Sequence, residues 1–243
     1  MNTRDDHILT FDIDWAADWA IDRIAERLID RRVKATWFVT HACAALDRLR
    51  RHPELFELGI HPNCLPGSSH GATEDDVLTH VLDLVPGATS MRSHCFYQST
   101  PFLAKAWAKG IRMDSSILVP GARYVSPHIL TRGGMALVRL PVTFEDDIEL
   151  SCPVPSWSLA ESRFHQPGLK VFNFHPMVVA LNPLSDRDYD AFKNRCPLAQ
   201  ATEAQVEEAR GPGPGPEDLL CALIEAMTGG GVTMSDIAKD AGV

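Results

Sequence analysis

At 243 residues, with 45% hydrophobic and 23% charged positions, the chain has the make-up of one soluble globular domain with a sizeable core. Its formal charge of −9 argues against nucleic acid or an anionic membrane as partner, because phosphates would be repelled, and no apolar run is long enough to span a bilayer. Six cysteines without a CxxC pair read as reduced thiols, and the opening MNTRDDHILTF has no signal-peptide core, so a cytoplasmic protein is expected.

Residues 7–11 read as a short buried strand. From Ala16 the pattern turns helical: Trp19, Ala20, Ile24, Leu28 and Ile29 recur on one face, with Asp22, Arg23, Glu26 and Arg27 between them. The β-branched and aromatic VKATWFVT predicts a second strand over 33–40. A helix over 42–51 follows, stopped by His52-Pro53. A third strand over 55–60 runs into the polar loop HPNCLPGSSHG. Later strands are predicted over 88–92, 111–114, 136–141, 169–174 and 231–234, and helices over 74–84, 101–109 and 216–227. GPGPGP, residues 211–216, can only be loop and comes too late to divide two domains, so residues 1–243 are expected to form a single domain. Alternating strands and helices imply an α/β protein with parallel strands and right-handed crossovers. This many units in such a length favour a barrel, complete or distorted, with its chemistry where strands end.

Reactive side chains recur at those strand ends. In LTFDIDW, strand alternation is expected to turn Asp12 and Asp14 to one side, with Ile13 packing on the other. His61 follows the third strand, and Arg92, Asp114 and His175 each close a later one. Two imidazoles and a carboxylate suit Zn²⁺ or a similar divalent ion and leave a position open for water or substrate. His70, nine residues past His61, shares its loop.

LTFDID, VKATWFVT, ELGIHPN, the lone arginine of MRSH, IRMDSSILVP and FNFHP occur in an order that resembles the polysaccharide deacetylase, or NodB-homology, family of metal-dependent carbohydrate esterases. The HPNCLPGSSHG loop is similar to a branch linked to lipopolysaccharide and surface-sugar biosynthesis. The resemblance implies a distorted (β/α)7 barrel. It also implies a hydrolase that removes an N-acetyl or related acyl group from an amino sugar or glycan precursor. It makes Asp12 the general base, Asp14 and His61 metal ligands, Arg92 the group that orients the base, and His175 the general acid. Asp114 and Asp146 compete as the acid that tunes His175. Zinc is the implied metal, with Co, Mn or Ni suiting the same donors.

One departure stands out. Leu65 occupies the place of the second histidine in the family's HxxxH, so the third ligand must come from elsewhere. His70 is the substitute from the same loop, and His94 is the other candidate. Without a third ligand, the alternative is a catalytically inactive sugar-binding barrel. GSSHG, residues 67–71, also fits a serine-hydrolase elbow, with Ser69 as nucleophile and Asp146 and His175 following. Pro62 and Pro66 deny it the strand that such an elbow needs. Trp15 and Trp157 are candidates for a sugar-stacking surface.

Overall fold

Ile8, Leu9, Thr10 and Phe11 are all buried, two on each face, which suits a strand in the middle of a sheet covered on both sides. The computed structural model describes residues 6–240 and sets this strand between two parallel neighbours. The first five residues of the N-terminal stretch, on which the leader reading partly rests, lie outside the described residues.

The strands are β1 (His7–Asp12), β2 (Ala35–Val39), β3 (Phe56–Ile60), β4 (Ser90–Met91), β5 (Met113–Asp114), β6 (His128–Arg132), β7 (Met135–Arg139), β8 (Phe144–Glu145) and β9 (Lys170–Phe174). Among the described residues they form one sheet in the order 6-7-5-4-3-2-1-9-8, parallel except for the β6–β7 hairpin. The sheet curls as a half-barrel whose edges are β6 and β8, the distorted NodB-type barrel expected from the sequence. Isolated parallel bridges also pair Leu118 with Val142 and Val125 with Gly168.

The helices are α1 (Asp18–Arg31), α2 (Ala45–Arg50), α3 (Glu74–Leu84), α4 (Thr100–Ala108), α5 (Asp146–Leu150), α6 (Pro176–Leu181), α7 (Asp186–Arg195), α8 (Glu203–Ala209), α9 (Pro216–Ala226) and α10 (Met234–Asp240). Their starts follow local chemistry. Thr73 opens α3 with a reciprocal cap, its hydroxyl taking the Asp76 N–H (3.2 Å) while Asp76 takes the Thr73 N–H (3.1 Å).

Two apolar layers result. Ile21, Leu28, Leu46, Leu78, Phe102 and Leu220 pack against the outer sheet face, formed by Leu9, Phe11, Trp37 and Phe172. Inside the curl, Ile8, Phe38, Met113, Val138 and Val171 meet Met234 and Ile237 of α10. That helix sits at the strand beginnings, where the Met234 N–H donates to Thr36 Oγ1 (3.1 Å) and the Ser235 N–H to Glu57 Oε2 (2.8 Å). With one end filled by apolar side chains, the polar end of the curl is left at the strand C-termini.

The strand expected over 231–234 is not one. Thr233 and Asp236 form a reciprocal cap (3.2 and 3.1 Å) that starts α10, and local hydrogen bonds of this kind outweigh a short apolar run. β6, β8 and α5 to α8 lie outside the elements predicted from the sequence. β6 is an exposed edge strand with no buried face, and β8 is only two residues long, so neither carries a hydrophobic period to read.

Candidate active site

Along β1 the inward face runs from Ile8 through Thr10 to Asp12, from apolar packing to charge within one strand. Asp12 is 2% exposed and both of its oxygens are held. Arg92 Nη1, following β4, donates to Oδ1 (3.0 Å), and Asn173 Nδ2, on β9, donates to Oδ2 (2.8 Å). Arg92 is fixed in turn: Nη1 reaches Asn173 Oδ1 (2.5 Å), Nη2 reaches Ser115 Oγ (3.0 Å), and the guanidinium lies over the Phe38 ring (4.5 Å). A planar donor group clamped on this many sides has little freedom to move its carboxylate partner.

His175 follows β9, and Pro176 starts α6 immediately after it. Its Nδ1 lies 2.6 Å from Asp146 Oδ1, and its backbone N–H donates to Asp146 Oδ2 (2.8 Å). Burial alone would lower the imidazole's pKa, but the Asp146 and Asp147 carboxylates outweigh it and raise it well above the ordinary histidine range. The ring therefore carries an Nε2–H, which lies 3.7 Å from Asp14 Oδ2 and 3.8 Å from Glu145 Oε1.

The other half of the rim joins His61, directly after β3, to residues on turns. β1 stops at Asp12, and Asp14 (φ 34°) and Trp15 (φ 53°) then take left-handed backbone angles. Asp14 therefore reaches the site through a turn and not through the strand alternation expected from the sequence. Its N–H is anchored on Thr40 Oγ1 (3.1 Å). Asp14 Oδ1 lies 3.1 Å from His61 Nε2, Asp14 Oδ2 lies 3.3 Å from His94 Nδ1, and those two nitrogens are 3.3 Å apart. A tetrahedral zinc site with bonds of ~2.0–2.1 Å spaces its donors roughly 3.3–3.4 Å apart, so this donor set fits such an ion. Burial would raise the Asp14 carboxyl, but His61, His94 and His175 hold it well below the usual carboxylate range. Burial would likewise lower His94, yet the Asp14 carboxylate pushes it up to about 10.

His70, expected as the third ligand, is used differently. Its Nδ1 accepts the Asn63 N–H (3.1 Å), and its ring stacks on His80 (4.9 Å). Burial, followed by His80, brings its pKa down to about 4, so the ring is neutral. A neutral imidazole has one lone pair and one N–H. With the lone pair given to Asn63, Nε2 carries the hydrogen and has nothing to offer a metal. Among the described residues it is His94 that groups with Asp14 and His61.

Asp114 is also placed away from its expected partner. It takes Arg139 Nε (2.8 Å) and Nη2 (2.6 Å) on Oδ2, while β4, β3, β2 and β1 separate its strand from β9. Asp146 starts α5 beside β9 and so occupies His175. Ser69 is exposed on a turn that no strand enters, which removes the elbow geometry. Trp15 packs edge-on against His94 (5.5 Å) and Trp157 against Phe144 (6.2 Å).

Two further residues of the site are not among those expected from the sequence. Asn173, two positions before His175 on the same strand face, bridges Asp12 and Glu145. Glu145, beside Asp146 in TFEDD, is 7% exposed, and burial first, then Asp147, raises its carboxyl well above the ordinary range. The period-two spacing of Asn173 and His175 was the available signal for the first; adjacency to Asp146 was the only one for the second.

Residues 9–193 match the family model for WbmS-like polysaccharide deacetylases. The chain belongs to that family. A crystal structure from Bordetella bronchiseptica, described as a polysaccharide deacetylase involved in O-antigen biosynthesis, is 32% identical over 92% of this chain and 91% of that one, with a TM-score of 0.80. A polysaccharide deacetylase from Mycobacterium smegmatis (19% identity, 96% and 88% covered, TM-score 0.58) shares the fold. So does a 4-α-glucanotransferase from Thermococcus litoralis (11%, 96% and 40%, 0.55). No curated protein matches significantly in sequence. Membership of the family sets the chemistry as deacetylation of a polysaccharide. No helix among the described residues is long and apolar enough to cross a membrane.

Proposed function

We propose that the protein is a metal-dependent hydrolase that removes an N-acetyl, or related acyl, group from an amino sugar of a surface polysaccharide or of its precursor made inside the cell. The observation that carries the reading is the closeness of the two half-sites. His61 reaches both, with Nε2 3.1 Å from Asp14 and Nδ1 3.7 Å from Asp12, while His175 Nε2 lies 3.7 Å from Asp14.

Asp14, His61 and His94 would hold the divalent ion, for which zinc suits the donors best and Co, Mn or Ni also serve. Such an ion supplies a Lewis acid for the acyl oxygen and lowers the pKa of water toward ~7. The chain's own residues do the rest. Asp12 takes a proton from the attacking water, and Arg92 with Asn173 keeps each of its oxygens in one orientation. The tetrahedral adduct expels water again unless its nitrogen is protonated. His175 gives that nitrogen its Nε2 proton, the C–N bond breaks with its electron pair going to nitrogen, and acetate and a free amine result. Asp146 keeps the imidazole charged until that moment.

Acetate release from N-acetylated oligosaccharides and nucleotide-linked acetamido sugars tests the proposal. Release that stops on chelation and returns with Zn²⁺ is expected. A metal-loaded protein that frees no acyl group from any of them would contradict it.

A further inference from the structure

Glu145 has no part in the steps above, yet it sits among the groups that perform them. It closes β8 as the register partner of Asn173. Its Oε1 accepts one hydrogen of the Asn173 amide (3.1 Å), whose Nδ2 also donates to Asp12 Oδ2 (2.8 Å). The same Oε1 lies 3.8 Å from His175 Nε2. Its Oε2 is buried and has no hydrogen-bond partner among the described residues. An atom in this state still has lone pairs able to accept a hydrogen bond from a bound molecule.

One atom of a substrate can serve both groups. Two points 3.8 Å apart share positions within roughly 2.9 Å of each, the usual N–H···O distance. A leaving atom seated on His175 Nε2 is therefore also within reach of Glu145. Once the acyl carbon is tetrahedral, an amide nitrogen turns its lone pair to the acid and still carries a hydrogen. An ester oxygen in the same place carries none. In the neutral form that burial favours, Glu145 keeps carbonyl lone pairs to receive that hydrogen and does not compete for the His175 proton.

We infer that Glu145 contacts the substrate and accepts the N–H of the scissile amide, so that the site selects N-acyl amino sugars over O-acyl esters. This rests on the hydrolase reading above. No bond is made or broken at Glu145; the proton delivered to nitrogen comes from His175 alone.

The test compares kcat/KM for acetate release from the N-acetylglucosamine trisaccharide with kcat/KM for 4-nitrophenyl acetate, using the metal-loaded full chain. In Glu145→Leu the amide-to-ester ratio is expected to fall roughly tenfold or more, the size of a lost hydrogen bond that discriminates between substrates. In Glu145→Gln, which keeps a carbonyl acceptor, the ratio should stay within about threefold of wild type. Should Glu145→Leu fail to fold, Glu145→Asp withdraws the carboxyl by one methylene and should lower the same ratio. An unchanged ratio in Leu or Asp overturns the inference, as does a Gln variant that falls as far as Leu. Wild-type protein inactive on the trisaccharide and on other N-acetyl sugars would instead overturn the hydrolase reading itself.

Discussion

On one side of the rim, Asp12, Asn173 and His175 sit on or directly after adjacent parallel strands, and each is 6% exposed or less. On the other, Asp14 lies in a left-handed turn and His94 precedes Cys95 and Phe96, both at φ 52°. The acid–base half takes its geometry from the β ladder, which fixes neighbouring side chains at set spacings. In the half that could hold a metal, His61 continues the ladder past β3, its N–H on the Val39 carbonyl (2.9 Å), while Asp14 and His94 take their geometry from turns pinned by distant contacts. The His94 N–H is held by the Pro62 carbonyl (3.0 Å), and the Ser93 N–H by Ser116 Oγ (2.9 Å). A ladder tolerates changes of side chain, whereas a turn built on borrowed contacts ties its ligands to one loop arrangement.

If the two halves are separable, damage to one should spare the other. The largest effect is expected from Asp12→Asn, which should cut kcat by ~10²–10⁴ while the protein still binds metal. Loss of both together would show that the halves are one unit. Asp146→Asn and Asp114→Ala sharpen the contrast with smaller effects on activity. Because the Asp146 carboxylate holds the His175 pKa up against burial, its removal lowers that pKa. The acid then loses its proton at lower pH, so the alkaline limb of kcat/KM should shift toward acid. Asp114→Ala should leave that limb in place. It strands Arg139 without its buried partner, for a loss of stability of about 3 kcal/mol by thermal unfolding.

The same contrast explains what could be read from the sequence. Asp12, His61, Arg92 and His175 close or follow predicted strands, and strand ends are visible as the points where an apolar run meets a polar residue. The third donor was not visible in this way. His70 and His94 both looked eligible, and what separates them is an N–H from Asn63 that occupies one ring and a turn that delivers the other. Asp114 and Asp146 were undecidable for a similar reason: only the sheet order puts β8 beside β9 and β5 beside β7. Glu145 was hidden because β8 has two residues and no period.

Zinc titration of the metal-free protein, with bound ion counted by mass spectrometry, addresses the convergence of Asp14, His61 and His94 most directly. Wild type and His70→Ala should each bind about one ion per chain with similar affinity, while His94→Ala should bind roughly 100-fold more weakly, as loss of one of three protein donors requires. Full binding by His94→Ala, with binding lost in His70→Ala, would contradict that assignment.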